Sequence, residues 1–248
     1  MRLKQNKSYW AGRGQVTNLI LELDSHNRKM STLYLTCESI RDHLSNPVLT
    51  QDPRISHLTE ILEEVPWKGN GLVIFSAPSQ VITIQPAFPI LEGLYSEGIL
   101  VYPLLRQINN DLTVAVILLR LGRYAIGVLR GEKLISSKTG SRYVKNRHKA
   151  GGSSQRRFAR SRERLIRELY DKTCEITQSQ ISPNKHNLDY VLLGGEKTTL
   201  DGFLKRCTYL TKLNTKILSR SLQFDIPNHT TLTKIQREVW KYRVTIYE

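Results

Sequence analysis

The chain turns on the stretch Lys149-Ala150-Gly151-Gly152-Ser153-Ser154-Gln155-Arg156-Arg157-Phe158-Ala159-Arg160. A cationic, glycine-opened loop leads here into a run with helical spacing, with one uncharged amide, Gln155, at the junction. Phe158, Leu165, Ile166, Leu169 and Cys174 approximate one face, while Arg156, Arg160, Arg164 and Arg167 lie on others, which predicts a helix over Ser154–Gln178. Ser153 or Ser154 is placed to cap it. Lys138 to Arg167 holds eleven Lys or Arg against one acid, Glu163, so about ten of the chain's fifteen excess positive charges lie here. An anionic partner is implied. Glycines let the main chain enter a narrow cavity, and N–H groups at a helix start bind anions or developing oxyanions. The Gln155 carboxamide is no general acid or base near neutral pH, but its donors and acceptor can hold a water or a leaving hydroxyl. A self-contained nucleophile and base are missing, because Ser153 and Ser154 have only His148 nearby in sequence.

Upstream of the loop, Leu112–Leu119, Tyr124–Leu129 and Glu132–Ser137 are strand-like runs separated by Gly122-Arg123 and Arg130-Gly131, an antiparallel meander. Downstream, Leu188–Leu193 reads as a strand ending in Gly194-Gly195, Thr198–Cys207 as a helix, Lys216–Leu222 as a strand and Thr230–Tyr242 as a closing helix. Strands alternating with helices after residue 108 predict an α/β layer structure. Before it, Leu72–Ser76 and Val81–Gln85 flank a turn as a hairpin, and Tyr102–Gln107 reads as a short helix. Ser31–Thr36 alternates like a strand, His57–Val65 has helical spacing, and Val16–Leu23 suits either state. The expected division is an N-terminal α/β domain at 1–108 and a second domain at 109–248.

The 248 residues, 40% hydrophobic, can bury a sizeable core, and net charge +15 points to nucleic acid or an anionic surface. Cys37, Cys174 and Cys207 show no C-x-x-C spacing, so the expectation is three unpaired thiols in a reducing cytosol, with no disulfide framework or zinc site. The N-terminus lacks the apolar core of a signal peptide, and the longest apolar run, Val114–Leu119, is too short to span a bilayer. A cytoplasmic protein with no membrane partner is expected.

The quoted stretch resembles the Gly-Gly-Gln region of archaeal and eukaryotic class I peptide-chain release factors. More closely, Gly152-Ser153-Ser154-Gln155 is similar to the Gly-Ser-x-Gln version of the Vms-like release factors, peptidyl-tRNA hydrolases of ribosome rescue. Arg157-Phe158-Ala159-Arg160-Ser161-Arg162 resembles the helix opening that follows the motif, and Asn70–Phe75, the three strands from Leu112 and Tyr190–Gly195 fit the family layout. The likeness runs from about residue 69 to the end. It implies an RNase-H-like catalytic domain over 109–248, a mixed sheet flanked by helices. It also implies that Gln155 reaches the peptidyl-transferase centre of a large ribosomal subunit and assists water attack on the peptidyl-tRNA ester. On that resemblance Gly152, Ser153, Ser154 and Gln155 form the catalytic loop, and the N-terminal domain is expected to contact ribosome or tRNA. Two features depart from decoding factors: the Ser-Ser apex, and an N-terminal part without an Asn-Ile-Lys-Ser-like motif. The chain also stops short of the third domain that recruits a GTPase, so rescue of a split, stalled subunit fits better than codon-directed termination.

Arg147, Lys149, Arg156, Arg157 and Arg160 are the expected phosphate contacts on rRNA or tRNA, with no DNA partner and a monomeric state. Some helix arginines are alternatively expected to pair with Glu163 or Glu168. Phe158 is expected as a core anchor, and Trp10, Trp67 and Trp240 as packing residues. No metal or organic cofactor is expected. A nuclease needs clustered carboxylates, and Thr113–Arg120 carries none. The remaining alternative is a non-catalytic ribosome- or RNA-binding module.

Overall fold

The computed structural model describes residues 4–25, 30–45, 53–64, 69–145 and 154–248. The chain divides into two compact units, Met1–Asn110 with Val239–Glu248, and Asp111–Glu238.

The first unit comprises β1 (Gln5–Ala11), α1 (Arg13–Ser25), β2 (Ser31–Leu35), α2 (Cys37–Ser45), α3 (Pro53–Glu64), β3 (Leu72–Ala77), β4 (Gln80–Gln85), β5 (Leu94–Ser96) and α4 (Tyr102–Asn109). The chain's last strand, β11 (Tyr242–Tyr247), completes a six-stranded sheet of order β1-β11-β4-β3-β2-β5, antiparallel at every pairing. The ambiguous segment at Val16–Leu23 is helix: Val16, Ile20 and Leu23 are buried at the four- and three-residue spacing that lines one helical face. Ile40, Ile61, Leu62, Leu72 and Ile74 share one buried cluster. The predicted hairpin pairs Val73 with Ile84 and Phe75 with Ile82.

The expected closing helix and domain boundary are both corrected at the C-terminus. The last helix, α8 (His229–Val239), stops short of Tyr242, and Tyr242-Arg243-Val244-Thr245-Ile246-Tyr247 is a strand inserted between β1 and β4. Its β-branched and aromatic alternation suits a pleated surface. Residues from Val239 onward therefore leave the expected 109–248 domain for the first unit. Trp240 is fully buried there, its ring edge-on to Phe88 at 4.6 Å and beneath the Arg13 guanidinium at 3.5 Å. Trp10, by contrast, is half exposed.

The second unit runs β6 (Thr113–Arg120), β7 (Arg123–Arg130), β8 (Lys133–Ser141), α5 (Ser154–Ile181), β9 (Tyr190–Gly195), α6 (Lys197–Arg206), α7 (Thr208–Thr211), β10 (Lys216–Leu222) and α8 (His229–Val239). Its sheet has the order β10-β9-β6-β7-β8, with β6, β7 and β8 an antiparallel meander and β9 parallel to both β6 and β10. Taking the unit's strands in sequence, this is 5-4-1-2-3, the mixed RNase-H-like sheet flanked by helices that the resemblance implies. Strand β6 is central and buried on both faces from Thr113 to Leu119, as a strand covered on both sides should be. Ala115, Ile117 and Leu119 join Leu169, Tyr170, Phe203 and Cys207 in one core cluster. The tight β6–β7 turn uses Gly122 at φ 98°, a conformation open to glycine without a Cβ penalty.

The thiols correct a second expectation. Cys174 and Cys207 form a disulfide that ties the C-terminal half of α5 to the residue that caps α6, leaving Cys37 free. The partners lie 33 residues apart, so local spacing gives no sign of the bond.

Candidate functional site: the junction of a cationic loop and a long helix

Helix α5 positions the site. At 28 residues it is about 42 Å long by its rise per residue, and its first fully buried side chain is Leu169. Gln155, Arg156, Arg157, Ala159 and Arg160 are all exposed, so the first turns stand clear of the core packing. Gln155 sits about 21 Å along the axis from Leu169. No acid occupies the first turn of α5. Arginines there lie at the positive end of the helix dipole, an arrangement that disfavours the isolated helix and favours a bound anion.

The strand of chain entering the loop is fastened to this helix. After β8, Val144 packs against the core cluster while Tyr143 points to solvent. Lys145 then donates from Nζ to Ser161 Oγ at 3.2 Å and lies 5.8 Å above the Phe158 ring. Arg162 Nε donates to the Lys145 carbonyl at 3.0 Å. About two turns deeper, Arg142 pairs with Glu168 at 3.1 Å, and Arg164 stands 3.9 Å from the same carboxylate. Residues 142–145 and the head of α5 thus form a stem braced by three polar contacts and one apolar one. Such bracing fixes the head of α5 before any ligand binds.

Of the expected catalytic residues, Gln155 is exposed in the first turn and Ser154 begins the helix backbone. Gly152 and Ser153 lie outside the described residues, as do Arg147, Lys149 and His148 among the basic residues, and Trp67. Arg156, Arg157 and Arg160 lie within two turns of Gln155 and are solvent-facing. Glu168 takes both Arg142 and Arg164, so the expected i, i+4 pairing accounts for Arg164. Phe158 corrects its expectation: it is 38% exposed and belongs to the stem with Lys145, outside the buried cluster. The bracing roles of Lys145, Ser161, Arg162 and Arg142 were not anticipated. Ser161 and Arg162 fall within the quoted helix opening, while Arg142 and Lys145 are marked in sequence only as basic residues ahead of the glycines. Among the described residues no cluster of three or more His, Cys, Asp or Glu is arranged to hold a metal ion. No helix among them is long and apolar enough to cross a membrane.

The chain is of the release-factor class. The family model described as the Actinobacteria/chloroflexi VLRF1 release factor matches residues 112–245, and the chain belongs to that family. It is also similar to peptide chain release factor subunit 1 of Archaeoglobus fulgidus, 28% identical over 159 residues covering 60% of this chain and 39% of the relative. The Methanopyrus kandleri protein of the same name is 29% identical over 161 residues, again 60% of this chain and 39% of the relative. The chain thus spans about two fifths of the length of these relatives. Among solved structures, the Vms1 mitochondrial localization core aligns over 78% of this chain and 82% of its own at 14% identity, TM-score 0.45. An archaeal translation termination factor, aRF1, aligns over 93% and 73% at 16% identity, TM-score 0.37.

Proposed function

We propose that the chain is a peptidyl-tRNA hydrolase of ribosome rescue. It cleaves the ester between a stalled nascent peptide and the tRNA 3′ end on a large ribosomal subunit. One observation carries this reading: an exposed glutamine, Gln155, heads a braced helix beside solvent-facing Arg156, Arg157 and Arg160, in a member of a release-factor family. Gly152, Ser153 and Ser154 act with Gln155 as the catalytic segment, the glycine supplying backbone freedom. Gln155 orients the attacking water or the leaving hydroxyl through its amide groups. Water oxygen bonds to the ester carbonyl carbon, the bond from that carbon to the ribose 3′ oxygen breaks, and the proton lost by water ends on that oxygen. No side chain in the described first turns of α5 is a general base, so the electrostatics must come largely from the RNA-lined site. Arg147 and Lys149, together with the three helix arginines, neutralise phosphates of rRNA or tRNA.

The chain acts in the cytoplasm as a monomer, with residues 1–108 contacting ribosome or tRNA. Of the Cys174–Cys207 pair, Cys207 is fully buried and Cys174 partly so. The test is peptide release by the purified chain from isolated large subunits carrying peptidyl-tRNA, set beside intact ribosomes. Release from the isolated subunits and little from intact ribosomes is the expected result. Tight subunit binding with no release from either particle would favour the alternative, a binding module without hydrolysis.

A further inference from the structure

A second feature of the Asp111–Glu238 unit lies apart from Gln155. Around the β6–β7 turn is a cleft of about 480 Å³ lined by Arg120, Leu121, Arg123, Arg142, Tyr143 and Ile226, within the size range of small-ligand sites. It adjoins a second hollow of about 490 Å³ that shares Arg120 and Leu121 and reaches the head of α6 at Glu196 and Thr199. Three apolar side chains that a folded domain would ordinarily bury are open here: Leu121 is 38% exposed, Ile226 47% and Tyr143 73%. Grouped in one concavity and rimmed by arginines, they mark a binding surface.

The walls are held in place before any ligand arrives. Arg142 N–H donates to the Gly122 carbonyl at 2.9 Å, fixing one wall to the floor. The Arg120 guanidinium donates to the Phe224 carbonyl at 2.8 Å and lies 5.2 Å above that ring, fixing the floor to the opposite wall. That wall is braced in turn by Thr231, whose hydroxyl donates to the Ile226 carbonyl at 2.6 Å and whose N–H donates to Asn228 Oδ1 at 2.8 Å. A preformed cleft loses little freedom on binding.

The chemistry selects the occupant. Arg120 and Arg142 each spend part of a five-donor guanidinium on the protein, and Arg123 faces solvent. Among the described residues Asp225 is the one carboxylate lining this cleft, and Glu196 lines the adjoining hollow. Excess positive charge excludes an acid-poor or basic partner, while the exposed Tyr143 ring offers a flat face between cationic neighbours. Flat faces to stack bases, flanked by arginines to hold phosphates, are what single-stranded nucleic acid requires. We propose that this cleft binds a short single-stranded RNA segment, one base against Tyr143 and its phosphates on Arg120 and Arg123. The segment runs past the root of the Gln155 loop, because Arg142 and Tyr143 belong both to the cleft wall and to the braced stem.

The site stands on its own chemistry, and its failure is separable from failure of the hydrolase reading. The test measures binding of fluorescent hexauridylate to the full chain by anisotropy over a salt series, with ultraviolet crosslinking to locate the RNA. Tyr143→Ala is expected to weaken binding about tenfold, the effect of losing one stacked base. Arg123→Glu is expected to lower the salt slope by about one. Gln155→Ala should leave both unchanged. Both cleft side chains are exposed, so circular dichroism of the variants should match the parent. Crosslinks should fall in the tryptic peptide carrying Tyr143. Unchanged affinity in both cleft variants, or crosslinks confined to the helix arginines, would overturn the cleft whatever the peptide-release assay gives. Displacement of the RNA by an acidic peptide at lower concentration than by hexauridylate would overturn the choice of ligand.

Discussion

The two units are close in size and opposite in electrical character. Residues 1–110 with 239–248 hold 12 Lys and Arg against 11 Asp and Glu, whereas 111–238 hold 25 against 11. Almost the whole net charge of +15 therefore belongs to one unit. Their sheets differ as well. The neutral unit is antiparallel throughout and stitched from both ends of the chain, while the cationic unit is a mixed sheet made from one continuous segment. The difference separates two things that composition alone runs together: whole-chain charge favours an anionic partner, and its distribution says which fold presents the cationic surface.

The stitching gives the largest expected effect. Trp240→Ala empties a fully buried position against Phe88 and Arg13, and should cost about 3–5 kcal/mol. Hydrogen exchange should show lost protection in β3 and β4 with β6 and β9 still protected. Equal loss in both sheets would mean that the two units do not open separately. Next in size is the crosslink confined to the cationic unit. Cys207→Ala should lower stability by about 2–4 kcal/mol, seen as a shift in the urea midpoint. An unchanged midpoint would mean that the bond contributes nothing to folding. Smaller again is Arg156→Glu with Arg157→Glu, which should reduce the slope of large-subunit affinity against salt by about two or more while leaving the melting temperature alone. The matching reversal of Lys4 and Lys7 in the neutral unit should do much less, and an equal effect would erase the electrostatic contrast.

The smallest effect is confined to alkali. Burial pushes the Tyr34 and Tyr247 hydroxyls up to about 12, both in the neutral unit. Because these folded-state values lie above the unfolded value near 10, the stabilisation is complete below pH 10 and is lost as pH rises towards 12. Tyr170 and Tyr190, in the cationic unit, are raised by burial in the same direction. Chemical-denaturation midpoints should be flat with respect to these groups at neutral pH and fall above 10. Constant midpoints through pH 12 would contradict the burial of these phenols.

Legibility in the sequence follows the same division. The meander could be read because Gly122 and Gly131 separate three strand-like runs, the first two apolar, and α5 because its apolar spacing is long. Strand β1 passed unread because it is an exposed, polar edge, Gln5-Asn6-Lys7-Ser8, without the alternation that burial imposes. Strand β11 was hidden by its neighbour: Leu232, Ile235 and Val239 set a helical rhythm that the sequence carries on through Trp240 and Tyr242. What stops it is long-range pairing with Gln85 and Trp10, which no local window contains. At the site, Gln155 and its arginines were legible as a contiguous motif. The brace of Lys145 on Ser161 and Arg162 spans the loop, and the disulfide spans a helix, so both exist only after folding.

The central claim is that Gln155 serves the chemical step, and it is tested most directly by single-turnover peptide release on isolated large subunits, with binding of the same subunits measured in parallel. Gln155→Ala should slow release by about a hundredfold or more, the scale of losing one preorganised polar group at a developing charge, with affinity within about twofold of the parent. Release at the parent rate by Gln155→Ala would contradict the account.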